Sequence, residues 1–108
     1  MTFAILVGLG NLLHSKCIKY EYEILLERGG QVKRPDFTIK APKRTYYWEH
    51  LGMLTDPGYA KDWKKKEAWY LDQGITTRSD KDRLVVTRDN PDGSLDSAEI
   101  EHVISGLE

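Results

Sequence analysis

Apolar residues at Ile5, Leu6, Leu9, Leu12 and Leu13 recur at helical spacing and predict a helix from about Ala4 to Ser15. Gly8 and Gly10 lie inside it, each costing about 1 kcal/mol relative to alanine. From Ile18 to Leu25 the pattern changes to alternation, Ile-Lys-Tyr-Glu-Tyr-Glu-Ile, as a half-buried strand requires. Arg28-Gly29-Gly30 is a turn, and Val32 to Ile39 predicts a second strand. Pro35 inside that strand marks an irregularity or an unpaired backbone position. Ala41-Pro42-Lys43 turns the chain into a third, aromatic-rich strand, Thr45 to His50. Three consecutive strands joined by short turns suggest an antiparallel meander.

Asp56-Pro57 starts a helix by two mechanisms: the carboxylate accepts a free backbone N–H, and the proline lacks the N–H that would be orphaned there. That helix runs to about Gln73, with Gly74 as its stop. Tyr59, Trp63, Lys66, Trp69, Tyr70 and Gln73 share one stripe of it. Leu84 to Thr87 reads as a short buried strand, and Asn90-Pro91-Asp92-Gly93 as a turn. Asp96 with Glu99 opens a last helix ending near Ser105. The predicted order is αβββαβα, one α/β sandwich with a mixed four-stranded sheet flanked by helices.

The 108 residues suit a single domain spanning 1–108 and exclude an α/β barrel, a propeller or a complete dinucleotide-binding dehydrogenase. The apolar run Phe3 to Leu9 lacks the basic start and small-residue cleavage site of a secretory signal, and it is too short to cross a bilayer. Gly8-Leu9-Gly10 does not complete a dinucleotide-binding turn, because the third glycine position falls on Leu13. A single cysteine, Cys17, allows no intramolecular disulfide and no zinc knuckle, which points to a reducing, cytoplasmic setting with no membrane partner.

The net charge of -1 argues against a histone-like nucleic-acid binder, but its distribution is uneven. Residues 1–30 balance, residues 31–66 carry +5 and residues 67–108 carry −6. The middle third is thus a basic island suited to phosphate. Its other reading is a solvated helix face around Lys61 to Lys66 plus a charged turn around Lys40 to Arg44.

Two acids fall at strand positions that carry chemistry. Asp36 lies in the second strand and Glu49 at the end of the third. Adjacent strands lie about 4.8 Å apart, so acids near one end of the pair can share a divalent cation. Mg²⁺ favours a few carboxylates plus water and a substrate phosphate. A nearby lysine would orient water or stabilise developing charge. Each acid taken alone also fits a solvent-facing strand end.

The αβββαβ order, with Pro35-Asp36 in one strand and Glu49 in the next, resembles the core of PD-(D/E)XK, restriction-endonuclease-like nucleases. More narrowly, Pro35-Asp36-Phe37-Thr38-Ile39, the block from Tyr47-Trp48-Glu49-His50 to Leu54, and Trp69-Tyr70 resemble a nuclease module attached to bacterial superfamily 1 DNA helicases. Leu84 to Asp89 and Gly93 to Ser97 fit the same module, and the likeness spans roughly residues 11–104.

The resemblance implies that Asp36 and Glu49 hold Mg²⁺ or Mn²⁺. It places a lysine two residues past the second acid, where this chain has Leu51. Several nucleases of the class take the lysine from the following helix instead, and Lys66 matches that role. The carbonyl of His50 would join the metal shell, with strand-end packing as the alternative role for this residue. Lys43, Arg44, Lys64 and Lys65 become the DNA-binding candidates. An acid in the first helix would align near Leu6, and nothing acidic precedes Glu21.

Three functions are therefore expected in competition. One is a Mg²⁺-dependent DNA nuclease domain, a fragment of a helicase or repair protein. A second is a catalytically impaired DNA-binding remnant of such a nuclease. The third is a small module docking a protein partner through exposed aromatic residues.

Overall fold

The computed structural model describes residues 3–52 and 55–107, and side chains from residue 7 onward within them. Met53 and Leu54 of the aromatic block, and the side chain of Leu6, lie outside the described residues.

Helix α1 spans Phe3–Ser15. Of the expected first strand, Ile18 to Leu25, only Glu21–Tyr22 is strand, as β1, and a further strand not expected, β2, follows it at Leu26–Arg28. The break is at Glu23, whose φ of 51° is left-handed and ends the extended run. The expected second strand splits into β3, Gln31–Lys33, and β4, Phe37–Lys40. Arg34-Pro35-Asp36 separates them, where buried Pro35 has no N–H to give a ladder. Strands β2 and β3 pair with each other as an antiparallel hairpin, turned by Gly29 and Gly30 at positive φ.

Strand β5 is Thr45–Leu51, α2 is Pro57–Asp72, β6 is Asp82–Arg88 and α3 is Ser97–Ser105. The main sheet has the order β1-β4-β5-β6. Its first two pairings are antiparallel and β5–β6 is parallel, with α2 as the crossover helix. This is an α/β fold with three helices, a mixed four-stranded sheet and an added β-hairpin.

Strand alternation gives the sheet two buried faces. On one, Phe37, Ile39, Tyr46 and Trp48 pack with Leu9 and Leu13 of α1 and Ile100 and Ile104 of α3. On the other, Tyr47 and Leu84 pack with Trp69 and Tyr70 of α2, and with Leu26 and Ile75. Helix α2 begins where the sequence predicts: Asp56 Oδ1 accepts the N–H groups of Gly58 at 2.8 Å and Tyr59 at 3.2 Å. Asp96 caps α3 by accepting from the Glu99 N–H at 3.1 Å. No helix among the described residues is long and apolar enough to cross a membrane.

Candidate active site

The register of β4 against β5 pairs Phe37 with Trp48. One step further sets Asp36 opposite Glu49, on the face that α2 covers, so the two side chains are cross-strand neighbours. The register of β1 against β4 pairs Tyr22 with Phe37, and one more step sets Glu23 opposite Asp36. The N–H of Glu23 donates to the Asp36 carbonyl at 3.1 Å. Three acids thus lie in a row: Glu23 just after β1, Asp36 just before β4 and not within a strand as expected, and Glu49 within β5. They line a cavity of about 310 Å³ beneath the first turns of α2, which contributes Tyr59, Asp62, Trp63 and Lys66 to its wall. Those four residues have the i, i+3, i+4, i+7 spacing of one helix face.

Lys66 reaches the acids. Its Nζ lies 2.7 Å from Glu49 Oε2 and donates to the Arg34 carbonyl at 2.9 Å. The same Glu49 oxygen accepts the Tyr70 hydroxyl at 2.5 Å. Asp36 Oδ2 accepts the backbone N–H of His50 at 2.7 Å. Sequence position Leu51, two residues past Glu49, lies in the same cavity wall as Lys66. The helix lysine therefore occupies the surroundings that a lysine at 51 would share.

The electrostatics are unbalanced. Burial first, and then the neighbouring Glu49 charge, push the Asp36 carboxyl up to about 6, against the opposing pull of the His50 N–H and Lys66. Glu49 is also raised, because its burial outweighs Lys66 and the Tyr70 hydroxyl. Burial and the Glu49 charge push the Tyr70 phenol up, so it remains a proton donor to the carboxylate. Two largely buried carboxylates share one ammonium, which leaves a negative charge in want of a cation.

This donor set fits a hard divalent ion. Mg²⁺ is commonly held by one or two carboxylates, with water and phosphate completing its shell. Asp36 and Glu49 supply that number. Among the described residues no group of three or more His, Cys, Asp or Glu is placed to hold a metal ion, so the candidate set is the two carboxylates alone.

The remaining sequence candidates lie elsewhere. The His50 ring, one residue on from Glu49, faces the opposite side of the sheet and is fully buried. It bonds Thr87 Oγ1 through Nδ1 at 2.7 Å and Asp89 Oδ1 through Nε2 at 2.5 Å. What it brings to the cavity side is the backbone N–H on Asp36. Lys43 and Arg44 belong to the β4–β5 turn, at the far end of the hairpin from Asp36 and Glu49. Lys64 and Lys65 are exposed on α2, off the stripe that carries Lys66. The described buried residues of α1, Leu9 and Leu13, pack on the face opposite the acids, and no described α1 side chain lines the cavity.

Sequence reasoning misses three participants. Tyr70 falls on the helix stripe with no signal of a polar role, although its spacing of four from Lys66 puts both over the same acid. Glu23 carries no local signal, since alternation hides the left-handed kink. Asp62 is missed on the stripe, although its spacing of three from Tyr59 and four from Lys66 could have found it.

No protein-family model matches the chain, and no solved structure matches it. Over 68 residues, 62% of the chain, it is 42% identical to Uncharacterized protein MJ1519 of Methanocaldococcus jannaschii. The chain spans about 6% of the length of that archaeal protein.

Proposed function

We propose that the chain is a Mg²⁺-dependent DNA nuclease domain of the restriction-endonuclease-like kind, hydrolysing phosphodiester bonds. The observation that carries this reading is the 2.7 Å approach of Lys66, from the crossover helix, to Glu49, with Asp36 opposite, one residue before β4. Structural packing alone gives no reason to gather two like charges and a lysine at one cavity. Asp36 and Glu49 would hold Mg²⁺ or Mn²⁺, which when bound supplies positive charge to the phosphodiester as its negative charge grows.

The chain's own groups have separable parts in this. Tyr70 and Lys66 both occupy Glu49 Oε2 and fix the plane of that carboxylate. The His50 N–H fixes Asp36 from the side. Lys66 places its ammonium beside the acids, where it stabilises charge on a phosphate oxygen or orients a water. Trp63 and Leu51 form the apolar part of the wall. DNA is the partner proposed, with Lys64 and Lys65 on the exposed side of α2 meeting backbone phosphates. That the chain resembles a small part of a much longer archaeal protein supports a module working within a larger chain.

A second reading, a DNA-binding remnant without turnover, is favoured by one observation. Lys66 is already engaged twice, by Glu49 and by the Arg34 carbonyl, and no described α1 side chain adds an acid to the cavity. Incubation of end-labelled and circular DNA with Mg²⁺ or Mn²⁺ separates the two. The nuclease reading predicts cleavage that EDTA, Asp36→Asn and Glu49→Gln each abolish. Binding of DNA without cleavage in either metal supports the remnant.

A further inference from the structure

We infer that Asp89, just beyond the end of β6, is a positioning residue for Asp36, acting through the ring and backbone N–H of His50. The inference rests on the proposed site being the one that Asp36 serves. It starts from a buried polar chain in an otherwise apolar face: Trp48, Thr87 and His50 are each fully buried beside Phe37, Leu9 and Leu13. Polar groups buried there are costly unless each is hydrogen-bonded.

Donor and acceptor roles fix the chain's direction. Trp48 Nε1–H can only donate, and it donates to Thr87 Oγ1 at 2.9 Å. At the other end the Asp89 carboxylate can only accept, so a ring hydrogen sits on His50 Nε2, facing Asp89 Oδ1 at 2.5 Å. In the neutral ring His50 Nδ1 is then the acceptor, and the Thr87 hydroxyl, 2.7 Å away, donates to it. One tautomer therefore satisfies every member.

Two bonds to one ring remove its freedom to turn and hold the main chain at residue 50. Asp89 adds a third tie, since its own N–H donates to the Leu51 carbonyl at 2.9 Å. Asp89 thus grips β5 at two consecutive residues, His50 and Leu51, at the strand's carboxyl end. There the His50 N–H points to Asp36 Oδ2 at 2.7 Å. Loss of the Asp89 carboxylate would free the ring, let residue 50 rotate and lengthen the bond that aims Asp36. Supports one shell behind a ligand typically change metal affinity by about ten- to a hundredfold.

The test uses ¹⁵N-labelled protein in EDTA, so its first readout needs no metal. The His50 amide proton, bonded to a carboxylate, is expected well downfield, and Asp36→Asn should move it upfield and so identify the bond. Asp89→Ala should move the same proton upfield, whereas Asp89→Asn, which keeps an oxygen acceptor for Nε2–H, should leave it in place. Thr87→Val, which cuts the chain at its middle, serves as the second probe if Asp89→Ala does not fold. A folded Asp89→Ala or Thr87→Val with the His50 amide unmoved overturns the inference. In Mn²⁺ titrations of the same proteins, Asp89→Ala should weaken binding at least tenfold and Asp89→Asn should restore it. Unchanged Mn²⁺ affinity in Asp89→Ala also overturns the inference. If wild type binds no Mn²⁺, the nuclease reading fails, and the amide shifts alone decide whether Asp89 positions Asp36.

Discussion

Removing the charge of Asp36 should stabilise the metal-free protein at neutral pH. The carboxyl is lifted from 3.8 to about 6 by burial and by the Glu49 charge. A shift of roughly 2 units corresponds to about 3 kcal/mol between the protonated and ionised folded forms. The sign follows from the raised value. The proton stabilises the fold fully below about pH 4, and that stabilisation is lost as pH rises through about 6. Asn at 36 keeps an oxygen for the His50 N–H and carries no charge at any pH. Asp36→Asn should therefore match wild type near pH 4 and exceed it by up to about 3 kcal/mol at pH 7.5. Urea unfolding of both proteins in EDTA, at steps from pH 4 to 7.5, measures this directly. With about 1–3 kcal/mol per molar urea, the midpoint should move up by about 1–3 M at the upper end. A variant less stable than wild type at pH 7.5, or a difference constant with pH, would refute the idea that Asp36 is held ionised against its surroundings.

Other consequences are independent of that one. Tyr70→Phe removes the hydroxyl on Glu49 Oε2 with little change of shape and should cost roughly 1.5–3 kcal/mol in urea unfolding at pH 7, as bonds to charged groups do. Asp56→Ala removes the acceptor for two N–H groups at the start of α2 and should cost about 1 kcal/mol, read by thermal melting. Lys64→Ala with Lys65→Ala should lower the log–log salt slope of DNA binding by about one for each phosphate no longer neutralised. An unchanged slope would assign both lysines to solvent.

Much of this architecture is legible in local sequence because its signals are local. Asp56-Pro57 and Gly74 bound α2, and Asp96 with Glu99 opens α3, since capping depends on residues within one turn. The aromatic strand Thr45 to His50 is present as β5, one residue longer. The first two expected strands mislead for a physical reason. Alternation reports which face a side chain takes but not whether the chain stays extended, and a left-handed glutamate at 23 leaves no mark on that pattern. Pro35 does mark its break, and the two halves of that second strand, β3 and β4, have different partners.

The site is legible in a similar way, by register more than by residue type. Asp36 and Glu49 fall opposite each other once the hairpin turn at Ala41-Pro42-Lys43 is set, because antiparallel pairing fixes every later partner. The same rule of two puts His50 on the other face from Glu49, which separates the ring from the cavity while leaving its N–H at the edge. Lys43 and Arg44 are basic and close in sequence to the acids, but they sit at the turn end of a hairpin whose open end holds the acids. Bonds that join distant segments, such as Asp89 with His50 or Tyr70 with Glu49, have no local signature.

The central claim is that Asp36 and Glu49, with Lys66 beside them, form a site for one divalent cation. Titration of Mn²⁺ into metal-free protein, followed by electron paramagnetic resonance of the free ion, tests it most directly. The account predicts one ion bound per chain, lost in Asp36→Asn and in Glu49→Gln and kept in Lys64→Ala. Absence of binding in wild type, or binding that survives both carboxylate substitutions, would contradict it.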